Sequence, residues 1–112
     1  MLDTLRALAE PSRFQIVELL LNGPRPVGDV VDHLDLSQPQ VSKHLRILSD
    51  AGLVDVRIDA QRRIYALRPE PLQELDVWLD RYRQLWEHNF RRLDSLLEQL
   101  QSTEKKHKRR KR

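Results

Sequence analysis

Residues 37–49 form a segment of the chain that is rich in polar and cationic side chains and contains no acidic residue. Amide side chains can pair with adenine, Lys and Arg can pair with guanine, and hydroxyls bond to bases or phosphates. These side chains would have to lie on one exposed surface to act together. The candidates are Gln38, Gln40, Ser42, Lys43 and Arg46.

The element that must position these side chains is a helix. The stretch from Ser37 to Gln40 matches a capping box, in which the Ser hydroxyl and the Gln amide each satisfy a backbone N–H of the first turn. Val41, Leu45 and Leu48 follow at helical spacing and predict the buried stripe, which turns the candidate side chains outward or into the exposed first turn. Gly52 is typical of a helix end, so the helix is expected to run to about residue 51.

A shorter helix is predicted just before this one, from near Pro26 to Leu34. The connection between the two is about three residues, which is the spacing of a helix-turn-helix. Two further helices are predicted upstream, a short one at the N-terminus and one that begins at Pro11. In the second of these, the apolar stripe is predicted as Phe14, Val17 and Leu21, with Ile16 and Leu20 beside it.

After Gly52 the apolar period changes to two, which predicts a β-hairpin over residues 53–58 and 63–67 with a four-residue loop. The expected register pairs Val54 with Leu67, Val56 with Tyr65, and Ile58 with Arg63. Basic and amide side chains on this hairpin could reach a DNA backbone or minor groove, although two Asp residues nearby weaken the positive field and simple solvation is the alternative. These hairpin candidates are Arg57, Gln61, Arg62 and Arg63.

A long helix is predicted from about residue 69, with apolar residues at heptad spacing over about four heptads. At ~1.5 Å per residue it is longer than the small body could cover, so we expect a second copy of the chain as its partner. Folding back onto its own body is the alternative. The expected contact residues on this helix are Leu79, Tyr82, Trp86, Asn89, Phe90, Leu93 and Leu96.

The 112 residues carry a net charge of +3, but the charge is unevenly distributed. Residues 105–112 hold 7 of the 20 Lys and Arg, so the rest of the chain, with 13 basic and 17 acidic residues, has a net charge of −4. We therefore expect one domain over residues 1–101 and a disordered basic tail over 102–112. The tail could add non-specific attraction to phosphates, or it could be incidental.

Several classes of function are disfavoured by composition. The chain has no Cys, no apolar run of transmembrane length and no secretion signal, so we expect a cytoplasmic protein with no membrane association. Its glycines form no phosphate-binding loop, and its four histidines lie in four different segments, so no enzyme is expected. Asp29 and His33 stand at i, i+4, but two ligands do not make a metal site, and a solvated pair is the simpler interpretation.

Three stretches of this sequence resemble the arsenic-repressor-like (ArsR) winged helix-turn-helix regulators. They read LRALAEPSRFQIVELL, LSQPQVSKHLRILSDAGLV and RIYAL. The resemblance implies homodimeric transcriptional repressors whose first and last helices build the dimer, which adds Leu2 and Leu5 to the expected interface. It also implies that Ser37 and His44 approach DNA with the other side chains of residues 37–44, although the helical wheel places His44 beside the buried stripe, where local packing is the alternative.

The resemblance does not extend to the sensing sites of the metal-responsive members. Where those members carry a Cys-x-Cys pair, this chain has Pro26-Val27-Gly28, and the last helix has a single histidine, His88, beside Glu87. The chain thus resembles the metal-independent members, and neither a metal nor a cofactor is expected.

We therefore expect a mainly α-helical winged helix-turn-helix with a small β-hairpin wing, which dimerises through its first and long last helices. Its expected partners are double-stranded DNA and a second copy of itself, with residues 37–51 and 53–67 meeting an inverted-repeat operator. The alternative is a winged helix that binds proteins without sequence-specific DNA binding; an apolar outer face on the helix of residues 37–51 would favour it, and that face is polar.

Overall fold

The computed structural model describes residues 1–110, and the side chains of residues 1–103. Five helices and three strands follow one another along this part of the chain in an order that matches a winged helix-turn-helix. They are α1 (Leu2–Leu8), α2 (Pro11–Leu20), β1 (Arg25–Pro26), α3 (Val27–His33), α4 (Gln38–Asp50), β2 (Val54–Asp59), β3 (Arg62–Leu67) and α5 (Pro69–Arg110). The expected fold class, mainly α with a small wing, is confirmed.

The chain divides into two compact units, residues 1–75 and the part of α5 from Asp76 onward. The first unit contains the hydrophobic core, where α2, α3, α4 and the sheet meet. Burying these side chains removes apolar surface from water and fixes the helices against one another. The most deeply buried are Ile16, Val30, Val41, Leu45, Leu48, Leu53 and Val54.

The predicted stripe of α2 is partly wrong. Ile16, Val17 and Leu20 face the core, whereas Phe14 and Leu21 are 51% and 70% exposed. Apolar residues occur on several sides of this short helix, so periodicity alone did not select the buried side. Pro11 does lie in the first turn as expected, and Glu10 caps the helix by accepting a hydrogen bond from the Arg13 backbone N–H.

The helix-turn-helix of α3 and α4 has the predicted form. Ser37 is the N-cap of α4, the capping box with Gln40 is present, and Val41, Leu45 and Leu48 are buried. The helix ends at Asp50, and Gly52 adopts a φ of +77°, a conformation that glycine reaches without a Cβ clash.

The wing is an antiparallel sheet with strand order β1-β3-β2. The predicted register is confirmed, since Val54, Val56 and Ile58 face Leu67, Tyr65 and Arg63. The predicted four-residue loop is wrong, because Asp59 pairs with Arg62 and leaves a turn of two residues in which Ala60 has a φ of +56°. The third strand, β1, pairs with β3 through only two residues, and sequence analysis missed it.

The helix α5 is longer than predicted. Its backbone stays helical to Arg110, which differs from the disordered tail expected from residue 102; residues 111 and 112 lie outside the described residues. Gln, Glu, Lys and Arg are good helix formers, and extending an existing helix avoids the cost of nucleation. Within residues 1–110, no helix has the apolar length that crossing a bilayer requires.

Candidate nucleic-acid interface

The outer face of α4 is exposed and polar. Its capping box, its Pro in the first turn and its buried stripe fix which side chains point away from the core. All the candidates that the helical wheel placed outside are exposed, so the surface carries amide, hydroxyl and cationic groups, with one acidic residue, Asp50, at the end of the helix. The exposed candidates of this face are Ser37, Gln38, Gln40, Ser42, Lys43 and Arg46.

Gln40 is only partly available for contact with a base. Its side-chain oxygen Oε1 accepts hydrogen bonds from the Ser37 backbone N–H at 2.9 Å and from the Ser37 hydroxyl at 3.1 Å. A bidentate pair with adenine needs both the oxygen and the amino group of the amide. The capping box therefore leaves Gln40 its amino group, while the side chain of Gln38 makes no hydrogen bond within residues 1–103.

Two clefts join α4 to the wing. One, of about 470 Å³, lies between the face of α4 that carries Lys43 and Arg46 and the wing residues Arg63 and Tyr65. In a strand, successive side chains alternate between faces, and Arg63 is on the same face as the buried Tyr65. The structure thus brings three cationic side chains of two different elements to one groove, which Asp50 at the end of α4 also lines.

The second cleft, of about 540 Å³, is bounded by the first turn of α4, the start of α3 and the tip of the wing. Gln38 and Ser42 line it from α4, and Gln61, Arg62 and Arg63 line it from the wing. Asp29 and Asp32 of α3 line the same cleft, so its field is mixed. Arg63 and Ser42 line both clefts and therefore lie at the centre of the surface that α4 forms with the wing.

Arg57 is separated from this surface. It is the Cα partner of Ile64, on the face of the hairpin opposite to Tyr65, and it lines a different cleft with Pro24 and Asp55. The structure therefore brings together three of the four predicted wing residues.

His44 lies on the side of α4 that faces α2, and its side chain is 20% exposed. Its Nδ1 atom is 3.8 Å from the Oε2 atom of Glu10, the N-cap of α2. The hydrogen bond from the Arg13 backbone N–H, together with the nearby His44, lowers the pKa of the Glu10 carboxyl. Sequence analysis did not single out Glu10; its position directly before Pro11 was the available signal of a cap.

The predicted dimer residues lie on two elements, which we describe separately. On α1, Leu2 is 64% exposed, whereas Thr4 and Ala7 are buried and tie this helix to the core. On the second unit, large apolar side chains at the heptad positions or beside them are exposed. They include Tyr82, Trp86, Phe90, Leu93, Leu96 and Leu100.

Comparison with known proteins identifies this architecture. The family described as "Bacterial regulatory protein, arsR family" matches residues 10–56. The HTH-type transcriptional regulator Rv2034 of Mycobacterium tuberculosis is 44% identical over 77 residues, which cover 69% of this chain and 72% of the relative. The chain belongs to the ArsR family. It is a DNA-binding transcriptional regulator, as the family match and its repressor relatives indicate.

Two further comparisons agree with the family. The arsenical resistance operon repressor of Staphylococcus xylosus is 36% identical over 76 residues, covering 68% of this ArsR-family chain and 73% of that protein. A crystal structure described as a possible transcriptional regulator for arsenical resistance is 39% identical, with a TM-score of 0.66, covering 73% of this chain and 85% of that one.

Asp29 and His33, the pair on α3 with metal-ligand spacing, are connected by a local hydrogen bond in this ArsR-family chain. The Nδ1 atom of His33 lies 2.7 Å from the backbone oxygen of Asp29, one turn earlier. Among the described residues, no three His, Cys, Asp or Glu side chains come together as a metal-ligand group.

Proposed function

We propose that this ArsR-family chain is a homodimeric transcriptional repressor that binds an inverted-repeat operator. In each protomer, α4 enters the major groove by its N-terminal half, and the wing contacts the neighbouring backbone. The proposal gives base contacts to Gln38 and the cationic side chains of α4, and phosphate contacts to the wing residues Arg62 and Arg63. Ser37 acts as the cap of α4, because its backbone N–H and its hydroxyl both donate to Gln40. Such a regulator works on chromosomal DNA, so a cytoplasmic location goes with it.

The convergence of Lys43, Arg46 and Arg63 on one groove, which keeps an excess of positive charge although Asp50 also lines it, carries this proposal. The described body around them is acidic overall, because residues 1–104 have a net charge of −4, so this concentration of positive charge is local. Cationic side chains set against polar amides and hydroxyls match the phosphates and base edges of DNA. A surface for protein partners would instead be richer in exposed apolar and aromatic groups.

Dimerisation is supported by the exposed apolar residues of the second unit. Residues such as Trp86, Phe90 and Leu93 recur on one side of a helix of more than ten turns, and contiguous apolar surface of this kind marks an association site. A second copy related by a two-fold axis would present two α4 helices to half-sites about one helical turn, roughly 34 Å, apart. The names of the relatives support repression as the output.

Selection of bound duplexes from a genomic library by the purified full chain tests the proposal. We expect an inverted repeat whose half-site centres are about 10 base pairs apart. Recovery of fragments without a common repeat, or of single half-sites only, would contradict it.

Arg63→Ala and Arg57→Ala provide a matched pair, because both remove one charge from the wing but only Arg63 faces α4. We expect Arg63→Ala to weaken binding and to reduce the slope of log affinity against log salt by about 1, while Arg57→Ala leaves both nearly unchanged. Equal effects of the two substitutions would mean that the α4 groove is not the DNA-binding surface.

A further inference from the structure

One buried polar atom in the described residues lacks a hydrogen-bond partner, and it belongs to the DNA-reading helix. This atom is Nδ1 of His44. An unpaired buried nitrogen is unfavourable, because it has lost its hydrogen bonds to water and gained none in return. The nearest group able to satisfy it is the carboxylate of Glu10, with Oε2 at 3.8 Å.

Glu10 is held in place by the first turn of α2, the helix that it caps. The same Oε2 accepts the Arg13 backbone N–H at 2.8 Å, which anchors the carboxylate at the start of α2. An ionised carboxylate is an acceptor only, so His44 must carry its proton on Nδ1 to face it favourably. This assigns the tautomer and leaves the other ring nitrogen, Nε2, without a proton when the ring is neutral.

The contact belongs to a junction of three helices. Arg13 also donates through its side chain to the carbonyl oxygens of Ala7, at 2.7 Å from Nε, and of Arg6, at 3.3 Å from Nη2. These carbonyls end α1, so Arg13 joins α1 to α2, while Glu10 of α2 faces His44 of α4 across 3.8 Å, a gap too long for a hydrogen bond. The last connection is the one that is not closed in the structure.

We propose that Glu10 is a positioning residue for DNA recognition, which attracts the Nδ1–H imidazole of His44 across this gap, closes on it when α4 binds DNA, and thereby sets the rotation of α4 against α1 and α2. The inference rests on the proposed function, in which α4 reads the operator. His44 acts here on the protein side of α4, in place of the DNA contact expected from the family resemblance.

The distance between His44 and Glu10 indicates how far α4 would move. The gap of 3.8 Å is about 1 Å longer than a hydrogen bond between these groups. Side chains lie about 5–6 Å from a helix axis, so if α4 closes that gap by turning as a rigid body, it rotates by about 10°. The same rotation moves Lys43 and Arg46 by about 1 Å, which is enough to make or break a hydrogen bond to a base edge.

Two amide substitutions of His44 separate positioning from direct DNA contact. In His44→Asn the amide N–H₂ takes the place of Nδ1–H, whereas in His44→Gln it takes the place of Nε2–H. We expect His44→Asn to bind the selected inverted-repeat duplex within about twofold of wild type. We expect His44→Gln to bind it about five- to tenfold more weakly, as for the loss of one hydrogen bond. The reverse order, or equal affinities of the two variants, overturns the proposal.

Glu10→Ser tests the other partner without removing the cap of α2, because Ser is a good N-cap but too short to reach His44. We expect the melting temperature to stay close to that of wild type and the affinity for the selected duplex to fall as in His44→Gln. The double variant Glu10→Ser/His44→Gln should be no weaker than either single variant, since both remove one contact. Additive losses would show that the residues act separately, and would overturn the proposal.

Nitrogen chemical shifts of the His44 ring provide a test that needs no DNA and no variant. In spectra recorded at a pH where the ring is neutral, the wild-type chain should show the Nδ1–H tautomer, and the Nε2–H tautomer overturns the proposal. A different result is expected if the proposed function itself is wrong. Lys43→Ala and Arg46→Ala would then bind the duplex with the affinity of wild type. If those two variants lose binding while Glu10→Ser does not, α4 reads DNA and only the positioning proposal is wrong.

Discussion

Gln38 and Gln40 differ in how much of their amide is free, and this difference predicts different consequences of replacing them with Ala. Gln38 has both amide groups available, so Gln38→Ala should remove a base contact worth about 1–3 kcal/mol, or roughly 5- to 150-fold in affinity. The loss should appear with the selected duplex and not with a random duplex of the same length. The melting temperature should not change, because Gln38 is exposed and makes no hydrogen bond within residues 1–103.

Gln40→Ala should act mainly on the helix. It removes two hydrogen bonds to Ser37, at 2.9 and 3.1 Å, whose combined net contribution at an exposed site is about 1 kcal/mol. For a unit of 75 residues this corresponds to a fall in melting temperature of about 4–8 °C. Gln40→Glu is the control, because a carboxylate also completes a capping box and should keep the wild-type melting temperature.

Thermal unfolding by circular dichroism and titration of fluorescent duplexes measure the two effects side by side. A larger, sequence-selective loss of affinity in Gln40→Ala than in Gln38→Ala, at an unchanged melting temperature, would refute this reasoning. It would mean that Gln40 leaves the capping box to read a base.

Three further predictions concern other parts of the chain. Replacing Trp86 and Leu93 together with Glu should produce monomers that lose operator binding, and light scattering that still finds a dimer would exclude the proposed interface. Deleting residues 105–112 should flatten the plot of log affinity against log salt, whereas an unchanged slope would mean that the tail makes no phosphate contact. Because the pKa of Glu10 is lowered in the folded chain by the Arg13 backbone N–H, its stabilisation is complete above the ordinary Glu pKa and is lost as the pH falls through the lowered value. The stability of wild type should therefore fall more than that of Glu10→Ser on acidification, and parallel curves of melting temperature against pH would contradict this.

Local signals in the sequence were enough to place most of the proposed DNA-reading element. The capping box from Ser37 to Gln40, the stripe of α4 and the hairpin register all depend on neighbours in sequence or on strict alternation, and all are confirmed. The two-residue turn was missed because Ala60 adopts a positive φ without being Gly or Asn, the residues that usually signal it.

What the sequence did not reveal depends on contacts between distant segments. The strand β1 exists because Arg25 and Pro26 find partners on β3, about 40 residues later, and two residues carry no pattern of their own. The approach of Glu10 to His44 is of the same kind, since it joins two helices whose separate patterns describe only their own faces. The extension of α5 was missed because charge composition was taken to indicate disorder, although the same residues are good helix formers.

The closed first turn of α4 has a consequence for the kinetics of recognition. Because Ser37 and Gln40 already satisfy two backbone N–H groups at this end of the helix, the first turn of α4 is formed and has no segment left to fold when a duplex arrives. Association can then proceed at the rate set by diffusion and electrostatic steering, and differences between related operators should appear as different residence times of the bound complex.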